Sequence, residues 1–288
     1  MIVRAFAKIN LGLEVVGGRP DGYHDIRTLF QTVSLADELA FEAAPDGALD
    51  LSGDDPAIPW DRTNLVHRAA VLLRERTGSD RGARIAVRKA IPAGRGLGGG
   101  SSDAAVTLRA LSEQWGLGLG RKDLAPLARR LGADVPFFLE GGLCLGEGIG
   151  DRLTPLPDLS SLACLLAFPP YPIATPTIYA GLDASLTSPM KESKIMRFLE
   201  TGDFGLLEND LERVIFRAHP ELASWTRSFR EEGALLSQVS GSGSAVYGLF
   251  PDTASADEAR RRLPGTWNAR LAATLPRASY WARLGAGA

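Results

Sequence analysis

Five glycines, Gly94, Gly96, Gly98, Gly99 and Gly100, fall within seven positions of the stretch Pro92 to Ala105, PAGRGLGGGSSDAA. Residues without a Cβ let successive backbone N–H groups turn toward one concave point, and such a point binds anions. Directly after it, Ser101, Ser102 and Asp103 offer N-cap chemistry, while Ala104, Leu108, Leu111 and Trp115 recur at helical spacing. The loop therefore opens into a helix N-terminus, where amides and helix dipole act on the same charge. A phosphate is the natural ligand. The alternative is a flexible glycine turn, but such turns rarely run straight into a capped amphipathic helix.

The surroundings of the loop exclude three familiar nucleotide motifs. Gly94, Gly96 and Gly99 satisfy GxGxxG, but that fingerprint needs an acidic residue about 20 positions on, at the end of a second strand. The nearest candidate, Glu113, sits inside the helix. A Walker A loop needs Lys and then Ser or Thr after its last glycine, where Ser101 and Ser102 stand instead. Asp203, Phe204 and Gly205 spell DFG with no HRD or VAIK upstream. The glycine loop must hold phosphates through its amides, with any lysine brought from elsewhere in the chain.

A chain of 288 residues can bury a sizeable core and suggests two domains or one large one. A net charge of −2 and a pI near 6.0 leave no basic footprint for nucleic acid, so a small-molecule substrate is expected. Cys144 and Cys164 lack CxxC spacing and read as buried reduced thiols, which points to the cytoplasm. Arg4, Lys8 and Asn10 interrupt the N-terminal apolar run and spoil a signal peptide. Leu162 to Phe168 is too short to span a bilayer, so no membrane partner is expected.

Residues 1–16 read as one or two strands, with Lys8 and Asn10 two apart on one face. A lysine on an apolar strand is usually an edge or snorkelling residue, and spacing alone leaves its role open. Tyr23 and His24 follow a turn and precede a strand from about Ile26 to Val33. A flat ring beside a polar heterocycle suits a planar ligand, and equally suits simple packing. Asp46 to Asp61 reads as a polar connection, Asn64 to Arg76 as a helix, and Arg84 to Val87 as a short strand feeding the glycine loop. Lys89 stands just before that loop, either touching what it holds or lying in solvent. A helix over Lys122 to Leu131 is closed by Gly132. Asp134 and Pro136 open a further short helix, where capping alone would account for Asp134.

Leu162 to Phe168 reads as a buried strand that opens a second domain. Thr175 to Leu182 and Ser193 to Glu200 read as helices around a mobile stretch of Ser, Thr, Pro and Lys, and Leu206 to Ala218 as a stronger helix. SGSGSA at Ser240 to Ala245 lies between two apolar runs. It reads as a strand-loop-strand with close backbone approach or as an ordinary hairpin turn. A helix over Ala254 to Leu263 and one or two strands complete the chain.

Taken together, AKINLGLEV near the N-terminus, DGYH at Asp21 to His24, PAGRGLGGGSSDAA, GADVPFFL at Gly132 to Leu139 and SGSGSAVYGLF from Ser240 span nearly the whole chain. Their order resembles that of the 4-diphosphocytidyl-2-C-methyl-D-erythritol kinases, a family of the galactokinase, homoserine kinase, mevalonate kinase and phosphomevalonate kinase (GHMP) superfamily. The resemblance implies an α+β, two-domain architecture with the active site in the cleft between the domains. Residues 1–158 would form an ATP-binding domain like the second domain of ribosomal protein S5, and residues 159–288 a ferredoxin-like domain.

The resemblance also implies ATP and Mg²⁺ as cofactors, with Asp134 as catalytic base and Lys8 beside it. Asn10, Tyr23, His24, Thr175 and Tyr179 match positions around the cytidine end of the substrate, and Gly241, Ser242 and Gly243 belong to the superfamily's third glycine motif. Asn64, Leu65 and Lys89 fall near the adenosine. Pro92 and Gly94 also fall in the ATP site, and Gly96, Leu97, Gly98, Gly99, Gly100, Ser101, Ser102 and Asp103 surround the phosphates, with Ser101 or Ser102 on the Mg²⁺. Arg95 stands where relatives usually carry a small residue, and either adds a cation to the phosphate site or points to solvent. The oligomeric state, monomer or homodimer, stays open.

Overall fold

The computed structural model describes residues 1–182 and 192–285. The stretch expected to be mobile after Leu182 lies largely outside them. The β-branched N-terminus forms a single strand, β1 (Ile2–Gly18), antiparallel to the long β2 (His24–Ala44). β2 also pairs with β4 (Gly82–Arg88) and β5 (Leu143–Gly148). β6 (Arg152–Pro155) extends the sheet beyond β5, and β3 (Leu49–Gly53) lies parallel to β4 at the other edge. The connection expected over Asp46 to Asp61 thus contains a strand, held by pairing to residues more than 30 positions away. Helices α1 (Leu65–Thr77), α2 (Gly99–Gln114) and α3 (Arg121–Leu131) bury Leu73, Leu108 and Leu127 in one cluster with Leu39, Phe41 and Ile85 of the sheet.

The second sheet has the order β10-β7-β9-β8, all antiparallel, from β7 (Ala163–Ala167), β8 (Leu236–Val239), β9 (Val246–Phe250) and β10 (Arg270–Ala273). Helices α4 (Thr175–Ala180), α5 (Lys194–Thr201), α6 (Glu212–Ala218) and α7 (Pro220–Glu231) join β7 to β8, and α8 (Thr253–Arg262) joins β9 to β10. A βαββαβ succession with this strand order is the ferredoxin-like arrangement. The helix expected over Leu206 to Ala218 is only α6, preceded by a short 3-10 turn at Phe204–Leu206. Asn209 interrupts it: its Oδ1 accepts from the Leu211 amide and its Nδ2 donates to the carbonyls of Val239 and Gly241. Side-chain bonds of this kind compete with helix.

The two sheets pack face to face. Ala7, Ile9, Leu11 and Leu29 of the first join Cys164, Leu166, Tyr247 and Leu249 of the second in one buried cluster. The pairing of β1 slips between Phe6 and Ala7. Because side chains alternate along a strand, one slip exchanges its faces. Val3 and Ala5 therefore join the helix-side core, while Ala7, Ile9 and Leu11 join the core between the sheets. Lys8 and Asn10 are left on the side of α2. A last helix that the sequence did not announce, α9 (Arg277–Arg283), returns to the first sheet. Its Tyr280 is fully buried against Phe6, and the Arg4 amide donates to the Leu284 carbonyl.

Candidate active site

The glycine loop is fastened from both sheets. The Lys8 amide donates to the Leu97 carbonyl at 3.0 Å, Ser240 Oγ to the Gly96 carbonyl at 3.0 Å, and the Ala245 amide to the Arg95 carbonyl at 3.1 Å. Two positions demand glycine. Gly96 has φ +75°, and a Cβ there would stand 2.0 Å from the Ser240 carbonyl oxygen; one on Gly98, at φ +70°, would stand 2.8 Å from the Phe138 ring. α2 starts at Gly99, earlier than expected, so Ser101 and Ser102 lie at its first turn, Asp103 lies beyond it, and none of the three caps it. Gly98 is the N-cap and offers no side chain, which leaves the first-turn amides for an external anion.

Lys89 does not lie in solvent. Its Nζ is buried, 2.5 Å from Asp37 Oδ2 and 2.7 Å from Asp103 Oδ2, and Asp37 Oδ1 also accepts from the amides of Ala90 and Ile91. A cation held by two buried carboxylates fixes the base of the loop. Burial pushes the Asp103 carboxyl above its ordinary range, with Lys89 opposing. Asn64 is likewise occupied: its side chain caps α1 through the Val66 amide and donates to the Pro59 carbonyl. Leu65 brings the start of α1 to the loop, where a Cβ on Gly100 would stand 3.8 Å from its side chain.

Beside the loop opens a cavity of about 630 Å³. Gly132 ends α3 in an extended conformation and leads into a 3-10 turn, Val135–Leu139, with Asp134 at its N-cap position. The Asp134 carboxylate caps nothing there. It stands 3.5 Å from Lys8 Nζ, with its side chain 36% exposed against 5% for Lys8. Lys8 is held from behind. Its Nζ donates to Asn10 Oδ1 at 2.7 Å, Asn10 Nδ2 donates to Thr28 Oγ1 at 2.8 Å, and the Tyr247 hydroxyl donates to the Asn10 carbonyl at 2.9 Å. The Phe30 ring lies 5.3 Å from Lys8 Nζ.

At another wall of the cavity the rings of His24 and Tyr179 meet with centroids 5.5 Å apart. His24 Nδ1 is buried without a partner, and the Tyr179 phenol is pushed up by burial and by the Asp134 charge. Tyr23 stands at the rim, 61% exposed. Thr175 and Ser242 join hydroxyls at 2.7 Å across α4 and the 240–245 loop. The cavity wall therefore brings together Lys8, Asn10, Tyr23, His24, Gly96, Ser101, Asp134, Thr175, Tyr179, Gly241 and Ser242. Pro92, Gly94, Leu97, Gly98, Gly99, Gly100, Ser102, Asp103 and Gly243 do not line it, nor do Asn64, Leu65 and Lys89. Thr28, Phe30 and Asn209 support the site without having been anticipated. Thr28 and Phe30 reach it only through the pairing of β2 with β1.

The profile described as GHMP kinases N terminal domain matches residues 64–142, and GHMP kinases C terminal matches residues 195–269. The 4-diphosphocytidyl-2-C-methyl-D-erythritol kinase of Chloroherpeton thalassium is 40% identical over 272 residues, covering 91% of this chain and 95% of its own. The enzyme of that name from Symbiobacterium thermophilum is 42% identical over 258 residues, 88% of this chain and 91% of its own. The chain belongs to the 4-diphosphocytidyl-2-C-methyl-D-erythritol kinase family. A crystal structure of 4-(cytidine 5'-diphospho)-2C-methyl-D-erythritol kinase superposes with a TM-score of 0.83 at 38% identity, covering 95% of this chain and 99% of that one. The mevalonate kinase of Methanococcus jannaschii, at 14% identity and a TM-score of 0.74, shares the fold. As a kinase of this family the chain uses ATP. The uncapped first turn of α2 and the glycine cradle fit its phosphates, and the buried, unpartnered Ser102 hydroxyl lies in the same turn.

Proposed function

We propose that this kinase transfers the γ-phosphoryl group of ATP to the 2-hydroxyl of 4-diphosphocytidyl-2-C-methyl-D-erythritol, giving the 2-phosphate and ADP in the non-mevalonate isoprenoid pathway. The observation that carries this reading is the Lys8–Asp134 pair on one cavity wall, with Gly96 and Ser101 of the glycine loop and the His24–Tyr179 ring pair on the same cavity. A donor phosphate on the loop and a cytosine against the rings leave the reacting hydroxyl beside Asp134.

An alcohol with a pKa far above 7 needs a positioned acceptor for its proton as the phosphoryl group arrives. Asp134, open to the cavity and committed to no cap, takes that role. Lys8, fixed by Asn10, offsets negative charge at the reacting centre. Transfer is direct and in line, because Asp134 acts as base and not as nucleophile. His24 Nδ1 and the second Nδ2 hydrogen of Asn10 are available to the substrate, with Tyr23 closing over the base from the rim. Ser101 or Ser102 would hold Mg²⁺ at the phosphate site, where the ion would supply charge neutralisation of the phosphates.

In this reading the ATP-binding part is residues 1–158 and the remainder forms the second domain. Among the described residues no helix is long and apolar enough to cross a membrane, and both cysteines are free and buried. We place the enzyme in the cytoplasm, acting on small molecules without a nucleic-acid partner. The test is ADP release with Mg²⁺ and ATP, offering the cytidine compound, mevalonate or homoserine as acceptor. Turnover with the cytidine compound alone is expected. Turnover with another acceptor alone would keep the phosphate loop and overturn the substrate assignment.

A further inference from the structure

Arg95 sits in the glycine loop yet contributes nothing to the wall of the reaction cavity. Its Nη1 lies against the Pro169 carbonyl at 2.6 Å, the Tyr171 carbonyl, and Ser244 Oγ at 2.9 Å, while its own carbonyl accepts from the Ala245 amide. The Ser244 hydroxyl donates to the same Tyr171 carbonyl at 2.6 Å. The guanidinium thus points away from the phosphate site, into the contact between the loop and the second sheet's connections. A Cβ on Gly94 would stand 3.2 Å from Pro172, so the loop already abuts this segment.

Both segments that Arg95 grips end in the acceptor pocket. The first runs from Pro169 through Tyr171 into α4, which carries Thr175 and Tyr179. The second is the 240–245 loop, which carries Ser242, and the two are joined again by the Thr175–Ser242 hydroxyl contact. We infer that Arg95 is a positioning residue that ties the ATP-phosphate loop to the acceptor pocket, so that the two reacting groups are held at one spacing. All of these contacts are made by Nη1, while Nε is buried without a partner; a weakly hydrated guanidinium tolerates such a partly buried interface better than a strongly hydrated ammonium does. Displacement of one reacting group by about 1 Å is enough to cost two orders of magnitude in rate.

This inference rests on the kinase reading, and its test separates the two. Arg95→Ala and Arg95→Lys are compared with the unaltered protein for kcat, for KM of ATP and of the cytidine acceptor, and for amide exchange of residues 94–98. A parallel series adds guanidinium chloride at about 20–50 mM, with sodium and methylammonium chloride as ionic controls. Arg95→Ala should lose about 10- to 100-fold in kcat. It should also raise acceptor KM more than ATP KM, exchange its loop amides faster with an unchanged melting temperature, and regain activity with guanidinium only. Arg95→Lys, the milder change should the alanine variant not fold, should behave likewise to a lesser degree. Kinetic constants within twofold of the parent and unchanged loop exchange would overturn the inference. So would a loss that guanidinium does not relieve and that comes with global loss of protection. If the parent protein phosphorylates no acceptor, the kinase reading fails, and loop exchange with and without guanidinium still decides the tie.

Discussion

Lys8 and Asp134 carry opposite charge but unequal freedom. Lys8 is buried and fixed through Asn10 and Thr28, whereas Asp134 is a third exposed and bonded to no cap. A fixed cation beside a carboxylate open to the cavity is the asymmetry that proton acceptance from a bound alcohol requires. Asp134→Asn should therefore lower kcat by about 10²- to 10⁴-fold while MgATP binding, followed calorimetrically, stays within a few-fold. His24→Ala and Tyr179→Ala should each raise acceptor KM more than they lower kcat, because both rings belong to the recognition wall. Tyr23→Ala should do less, since its ring is 61% exposed before any ligand arrives. Steady-state kinetics at saturating ATP separates these outcomes. At this scale the grouping of Lys8, His24 and Asp134 on one cavity was legible through the resemblance, not through their spacing. Lys89 was not, because one of the carboxylates that bury it, Asp37, lies 52 positions away and carries no local signal.

The glycine loop works because it is clamped, and its clamps come from distant segments: the Lys8 amide on one side and Ser240 on the other. Gly96→Ala, which would bring a Cβ to 2.0 Å from the Ser240 oxygen at φ +75°, should abolish nucleotide binding more thoroughly than it lowers stability. Titration with a fluorescent ATP analogue beside a melting curve reads both. The 240–245 loop is supported from beneath by Glu212 of α6, whose carboxylate accepts from the Val239 amide and whose pKa burial pushes up to about 7. That lies above its ordinary 4.5, so between these values the folded chain binds the proton more tightly than the unfolded one. The stability contributed by that proton is lost as pH rises through 7. Glu212→Gln keeps an acceptor for Val239 and should match the parent below the ordinary value, at about pH 4, yet be more stable by up to about 3 kcal/mol at pH 8 in urea unfolding. Strong periodicity made α1, α3 and α8 readable from sequence. The start of α2 and the break before α6 were missed because Ser101 to Asp103 resemble caps and Asn209 bonds residues 30 or more positions away.

The whole molecule is two sheets pressed together with helices outside, and the reaction cavity draws on both halves. Residues from β1, the 132–139 segment, α4 and the 240–245 loop meet there. The last helix among the described residues, α9, closes the first half and not the second: Tyr280 and Leu284 join the core that also holds Val3, Ala5 and Phe6 of β1. Tyr280 is fully buried and donates its hydroxyl to the Phe138 carbonyl. Tyr280→Ala should cost about 3–5 kcal/mol, the range for truncating a large core aromatic, with exchange protection lost first in β1 and α2. Recognition of the family made the two-part architecture legible. The return of α9 was not, because RASYWAR is too short for a periodic pattern, and the partners of Tyr280 and Trp281, namely Phe6, Arg109 and the Glu140 carbonyl, lie far away in sequence. The central claim is that this cleft aims one hydroxyl of a cytidine-bearing substrate at the ATP γ-phosphate beside Asp134. Phosphorus NMR of a reaction with ATP, Mg²⁺ and 4-diphosphocytidyl-2-C-methyl-D-erythritol tests it directly. A new phosphomonoester on the 2-position, formed in step with ADP and with the cytidine diphosphate signals intact, is the predicted result. Inorganic phosphate in place of that ester, or a cleaved diphosphate, would contradict it.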